Sequence, residues 1–231
     1  MVFLRKINKM IKKLILLAVS ATPFFYSAQE VITSQEPKIA ITPSVGYAWR
    51  LAKLPAGINN DTRNYIKGLK NGVDVGVGAY YLLKGNGAIG LKYSGYFASS
   101  EGRITVQDAG GQYVTGYVST KDNMSFVGVS YMLSNFKDDT KHKLFYDVAL
   151  GVITYTTKTG NVKGTGSSFG ADINIGYQYA VNEHFFIGPK IGFTGGTLSK
   201  MKYNGTTVNF GEDQKEGLTR LSLSAAATFR F

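Results

Sequence analysis

From residue 38 to the final residue, the side chains of this chain change character at every second position. The C-terminus is the cleanest case. Leu221, Leu223, Ala225, Ala227, Phe229 and Phe231 fall on one face, and Arg220, Ser222, Ser224, Ala226, Thr228 and Arg230 fall on the other. The stretch 169–181 repeats the pattern, with Phe169, Ala171, Ile173, Ile175, Tyr177, Tyr179 and Val181 set against Gly170, Asp172, Asn174, Gly176, Gln178 and Ala180. A two-residue period places alternate side chains on opposite faces of an extended strand, whereas a helical face repeats every 3.6 residues or so. The same alternation runs through 39–49, 73–83, 89–97, 125–133, 144–154 and 185–197, so the chain offers eight strands. Each is close to the roughly 9–11 residues that a tilted strand needs to cross a bilayer. No run of about 20 apolar residues offers a membrane-spanning helix instead.

The connections between these strands sort by parity. Those after the first, third, fifth and seventh are long and polar, spanning 51–70, 98–122, 156–167 and 198–217. Those after the second, fourth and sixth are short: Lys84-Gly85-Asn86, Asn135 to Lys141, and Asn182-Glu183. Long loops at one end, short turns at the other and an even strand count are the plan of an eight-stranded antiparallel up-and-down transmembrane β-barrel. In that plan both termini lie on the periplasmic side of a bacterial outer membrane. A soluble eight-stranded lipocalin also alternates, but turns its apolar face inward. Aromatic placement argues for the membrane. Tyr47, Trp49, Phe97, Phe169 and Phe193 fall near the outer ends of the apolar faces, and Tyr81, Tyr131, Tyr146, Tyr177, Tyr179, Phe185, Phe229 and Phe231 near the periplasmic ends. Two aromatic girdles bordering an apolar band are what lipid–water interfaces select.

The polar face then lines the lumen. It carries repeated glycines and a set of opposed charges: Asp74, Asp147 and Asp172 against Arg50, Lys92, Lys190, Arg220 and Arg230. An eight-stranded barrel is just wide enough for side chains to fill, and enclosed charges must pair or keep water. The expected pairs are Arg50 with Asp74 and Lys190 with Asp172, with small wet cavities beside the glycines and no wide channel. Phe145, Ile153 and Tyr155 break the polar-lumen rule and are expected to pack inside.

The N-terminus reads as a secretory signal peptide over residues 1–28. Lys12-Lys13 supply the charged region, 14–19 the apolar core, and Ser27-Ala28 the small-residue exit. Met10 is an alternative start to Met1, since Met10-Ile11-Lys12-Lys13 already begins a complete signal. Residues 29–37 form a short periplasmic segment and 38–231 the barrel. The formal net charge of +11 owes five of its bases to residues 5–13, and the rest are scattered. No basic stripe tracks phosphates, and no nucleic-acid partner is expected. The absence of cysteine removes disulfides, a thiol nucleophile and a thiolate metal site.

Over residues 38–231 the chain resembles the small outer-membrane barrels of the OmpX and OmpA-transmembrane type, the porin-like outer-membrane β-barrel-domain family. The strand plan, the loop parity and the ending Thr228-Phe229-Arg230-Phe231 carry the resemblance. It implies that Phe229 and Phe231 form the C-terminal signal read by the barrel-assembly machinery. It also implies outer-membrane lipid and lipopolysaccharide as surroundings. Unlike full-length OmpA, the sequence ends at its last strand, so a peptidoglycan-binding domain is not carried over.

Some barrels of this size modify lipids or cleave peptides, which requires a histidine with a hydroxyl or carboxylate near the outer leaflet. The two histidines, His142 and His184, both fall at periplasmic turns, so no catalysis, metal or cofactor is expected. Glu212-Asp213 and Asp138-Asp139 read as solvated acidic turns. Lys53, Arg63, Lys67 and Lys70 make the first long loop basic and suited to lipid phosphates. The functional expectation is a structural or adhesive barrel that binds an extracellular ligand through its loops. The alternatives are a narrow porin-like channel for ions or small solutes and, behind it, an outer-leaflet lipid-modifying enzyme.

Overall fold

The computed structural model describes residues 37–52, 58–107, 110–211 and 215–231. The signal-peptide expectation for residues 1–28, the choice of start, Lys53 and the acidic pair Glu212-Asp213 lie outside the described residues. Eight long strands form a closed antiparallel barrel. They are β1 (Ile39–Arg50), β2 (Asn71–Leu82), β3 (Gly87–Gln107), β4 (Tyr113–Ser134), β5 (His142–Thr159), β6 (Val162–Ala180), β7 (Phe185–Leu198) and β11 (Arg220–Arg230). Each pairs with its neighbour in sequence order, and β11 closes the sheet onto β1.

The closure fixes the shape. Stepping from Ala40 across the paired residues passes Tyr80, Gly90, Ser130, Ala149, Asp172, Thr194 and Arg220. It returns to β1 at Arg50, ten residues along the strand from Ala40 (50 against 40). With a rise of about 3.3 Å and a strand spacing of about 4.8 Å, that stagger tilts the strands by about 40° on a cylinder of radius about 8 Å. Such a radius leaves room for side chains and little else.

The parity of the connections holds, but most of the long ones are not loops. β3 and β4 continue out of the barrel as one ribbon, paired from Ala98↔Asp122 to Gln107↔Tyr113. β5 and β6 likewise pair up to Thr159↔Val162. The last long connection holds a further hairpin, β8 (Lys200–Tyr203) and β9 (Thr206–Asn209), whose turn puts Asn204 and Gly205 at φ 44° and 99°. Two successive left-handed residues make the tight turn that matches strand twist, and Asn-Gly adopts it readily. β8 pairs with β6, and the two-residue β10 (Glu216–Gly217) pairs with β7. Polar composition made these segments read as loops. Pairing with a neighbouring strand satisfies their backbone just as well as water does.

The first long connection holds a helix, α1 (Asn60–Leu69), capped by the Asn59 side chain, which accepts from the Thr62 amide at 2.8 Å. It rests against the inward side of the β3–β4 ribbon: Tyr65 donates to Thr120 at 2.5 Å, and Tyr96 donates to the Leu69 carbonyl at 2.8 Å. A side chain at Gly68 would meet Ser100 at 2.4 Å, so this helix lies in close contact with the ribbon. The ends of the barrel therefore differ. One carries the ribbons and the helix, and we refer to it as the hairpin end; the other carries the short turns and Phe231, and is the turn end.

The outer surface of the barrel wall is apolar. Val45, Val77, Leu91, Val129, Leu150, Ile175, Ile191 and Leu223 are all exposed, far more contiguous apolar area than a water-facing surface tolerates. Tyr47, Trp49, Phe97, Phe169 and Phe193 lie exposed toward the hairpin end. Tyr81, Tyr131, Tyr146, Tyr177 and Tyr179 lie exposed toward the turn end. Phe185 and Phe229 stack there with ring centroids 5.1 Å apart, and Phe231 is exposed beside them.

Candidate functional site

The lumen is packed in three layers. The middle layer holds six charges, three of each sign, on six strands. Lys92 reaches across the lumen from β3 and bridges two carboxylates, Asp147 on β5 and Asp172 on β6, the latter at 2.8 Å. Asp172 also accepts from Asn174 and Thr194, both at 2.6 Å, and from Ser94 at 3.2 Å. Arg220 donates to Ser94 at 2.7 Å and faces Asp74 at 3.8 Å, and Asp74 accepts from Ser224 at 3.3 Å. Lys190 donates to Ser44 at 2.9 Å. All six charged side chains are buried. Buried ions persist only when opposed charge and hydrogen bonds replace water; this layer supplies opposed charge and at least one hydrogen bond to each ion, while Arg220 keeps Nε and Nη1 without a hydrogen-bond partner.

Toward the hairpin end lies an apolar layer: Met124, Phe126, Ile153, Leu198, Met201 and Leu218. Arg50 closes it from above. Its guanidinium sits 5.0 Å over the Tyr155 ring, faces Asp122 at 3.5 Å and pairs with Glu216. Tyr155 donates to the same Asp122 at 2.9 Å. Toward the turn end lies a second apolar layer, in which the β4–β5 turn folds inward and drives Phe136 between Phe145 and Phe186. Arg230 donates to the Phe136 carbonyl at 2.7 Å, and Lys143 to the same oxygen at 3.2 Å.

Two expected pairs are wrong. Arg50 pairs with Asp122 and Glu216 instead of Asp74, and Lys190 bonds Ser44 instead of Asp172. The reason is stagger. Asp74 stands opposite Gly46, four residues from Arg50, and Asp172 stands opposite Thr194, four residues from Lys190. Four residues are about 13 Å along a strand, so neither pair is level on its adjacent strands, and the charges find partners two or three strands away, as Lys92 does with Asp147 and Asp172. Asp122, Lys143 and Glu216 were missed. Asp122 shares the inward parity of Met124 and Phe126, a signal that was present; Glu216 depends on a loop whose path no periodicity encodes.

Most of the lumen glycines are covered by side chains, and a small cavity lies beside Gly78. A side chain at Gly128 would strike the Phe126 ring at 2.7 Å, one at Gly170 Ile153 at 2.4 Å, and one at Gly176 Phe145 at 2.3 Å. Each glycine is the floor on which a large inward side chain lies. A cavity of about 10 Å³ between Thr42, Ser44, Tyr80, Lys92, Asp147 and Lys190 holds about one water.

His142 and His184 both lie at the turn end, His142 with its Nδ1 at 2.8 Å from the Tyr177 hydroxyl. Among the described residues no cluster of histidine and carboxylate side chains has the makings of a metal site.

No protein-family model matches the sequence, and no curated protein is similar to it in sequence. Solved structures do match in shape. Neisserial surface protein A aligns over 84% of this chain and 97% of its own, with a TM-score of 0.52 and 14% identity. The fold is that of a small eight-stranded outer-membrane barrel. OprG of Pseudomonas aeruginosa aligns over 84% of this chain and 97% of its own (TM-score 0.49, 10% identity). The outer-membrane protease OmpT of Escherichia coli aligns over 87% and 99% (TM-score 0.43, 10% identity).

Proposed function

We propose that this chain is an integral barrel of a bacterial outer membrane, with the hairpin end outward and both termini periplasmic, and that it works through what its outer hairpins bind. Conduction and catalysis are not part of this reading. The observation that carries it is the lumen: two apolar layers enclose a charge-balanced layer, and the cavity beside Lys92 and Asp147 holds about one water. A solute path needs continuous water, which this packing does not supply. The exposed apolar wall and its two aromatic borders support lipid as the surroundings. Phe229 and Phe231 remain suited to recognition by the barrel-assembly machinery, because Phe231 ends a strand whose backbone is stitched to β1.

The direct test is conductance. Purified protein inserted into planar bilayers should give no steady single-channel openings. Steady openings of uniform size would reject the closed-barrel reading and restore the narrow channel. Incubation with lipid A and with peptides, followed by mass spectrometry, should return both unchanged.

A further inference from the structure

We propose that Lys121, Lys158 and Lys163, joined by Lys202, form a binding row for the phosphate groups of a saccharide-headed lipid in the surrounding leaflet. The row is created by the register. Lys121 on β4 stands directly opposite Lys158 on β5, and Lys158 directly opposite Lys163 on β6. Lys202 on β8 stands opposite Thr165, two residues along the same face from Lys163. All four are exposed and share the outward face, because their neighbours Asp122, Gly164 and Met201 are buried. Like charges directly opposite one another destabilise a sheet, yet here three stand in line. No described residue forms a salt bridge with any of them, and no acid occupies an outward position on the described parts of β4, β5, β6 or β8. Glu101, one strand away on β3, stands opposite Ser119 and forms no salt bridge with Lys121. Among the described residues, the row has charge to neutralise and no salt bridge that neutralises it.

Height selects the ligand. Each lysine lies six positions beyond the outward apolar residue that ends the continuous apolar wall on its strand: 121 against Val127, 158 against Val152, 163 against Phe169. At the tilt derived above this is about 15 Å above the apolar edge, and a lysine bending back along the wall brings its ammonium to about 10 Å. A phospholipid headgroup layer is only about 5–8 Å deep. A sugar headgroup reaches higher. Between the lysines and the apolar edge lies Asn123–Thr156–Thr165, a paired row of amide and hydroxyl groups suited to sugar hydroxyls. The exposed Tyr113 and Tyr117 stand above the lysines. The basic residues of the first long connection are placed differently, since Arg63 and Lys67 sit on α1, inside the ribbon and away from the wall.

This inference rests on the proposed orientation, with the hairpin end in the outer leaflet, and its test is separate from that of the closed lumen. The full-length protein is placed in phosphatidylcholine nanodiscs doped with bis-phosphorylated lipid A, dephosphorylated lipid A or phosphatidylglycerol, and retained lipid is counted by native mass spectrometry. Wild type should retain bis-phosphorylated lipid A above the other two. The K121Q/K158Q/K163Q variant should lose roughly ten-fold or more of that preference. The charge-matched K38Q/K84Q/K141Q variant, altered at the turn end, should keep it. Removing the facing charges should leave the barrel at least as stable as wild type in urea, so unfolding does not confound the result. Equal retention by the K121Q/K158Q/K163Q variant, or equal binding of the dephosphorylated lipid or of phosphatidylglycerol, would overturn the proposal. Steady conductance in the same preparation would reject the closed lumen and leave the lysine row intact.

Discussion

Replacing Lys92 by methionine tests the lumen most sharply. Methionine keeps most of the apolar stem and deletes the charge. At an effective dielectric constant of about 20, the contact to Asp172 at 2.8 Å is worth about 6 kcal/mol, and the contact to Asp147 is of similar size. Several kcal/mol of that gain is offset by stripping water from the ammonium. The variant forfeits the attraction and leaves two carboxylates facing each other with only Asn174, Ser94, Ser130 and Thr194 as donors. Breaking a buried ion pair from one side costs about 3–5 kcal/mol, and that is the loss expected here. The single tryptophan, Trp49, lies on the outward wall, so urea unfolding from lipid vesicles can be followed by its fluorescence. A companion variant adding Asp147→Asn and Asp172→Asn should recover most of the loss, because it removes the charges that Lys92 opposed. A loss below about 1 kcal/mol for K92M, or no recovery in the companion, would refute the account of the lumen as a charge-balanced layer.

Other outcomes follow from the same packing. Phe136→Ala should cost about 3–5 kcal/mol in the same urea assay, yet should give no steady conductance, since the middle and hairpin-end layers stay closed. Gly128→Ala places a methyl 2.5 Å from the Leu150 carbonyl and should cost about 1–3 kcal/mol. Gly116→Ala, which meets nothing, should stay within about 0.5 kcal/mol of wild type on urea unfolding. Lipids brominated near the headgroup should quench Trp49 more strongly than lipids brominated at the chain ends; the reverse order would contradict its place in a girdle.

Two-residue alternation made the fold legible because a strand in a barrel has two environments and cannot exchange them without slipping register. Residues 169–181 and 220–231 show the wall and the lumen in their sequence alone. The girdle aromatics were legible for the same reason. The lumen charges were legible as a set and illegible as pairs, because pairing depends on stagger, and a ten-residue shear is a property of all eight strands together. Lys92 finds partners two and three strands away, a relation no local pattern holds. Asp122, Lys121 and Lys158 were hidden by polarity. Once a strand leaves the bilayer its outward face turns polar, the contrast between faces fades, and a ribbon reads as a loop.

That fading contrast also locates the working surface. β3 and β4 run 21 and 22 residues, about twice what a bilayer crossing uses, and the excess lies wholly at the hairpin end. Within the barrel each outward residue is committed to lipid and each inward residue to a neighbour, so substitutions there act on stability. Beyond Phe97 and Asn123 the inward face still has work: Ser100, Gly102 and Thr120 seat α1. The outward face carries Ser99, Glu101, Arg103, Lys121 and Tyr117, which no core requires. A residue type is free to be selected for binding only where packing does not already dictate it, and on this chain that freedom coincides with charge. The expected consequence is a division between two assays. Substitutions at outward positions of 99–121 and 158–165 should leave urea midpoints near wild type while changing lipid retention. Substitutions at the inward positions of the same strands below Ala98 should do the reverse. Stability losses of several kcal/mol at Lys121 or Lys158 would mean that the ribbon is part of the fold's foundation, and the case for a binding role at the hairpin end would lose its physical basis.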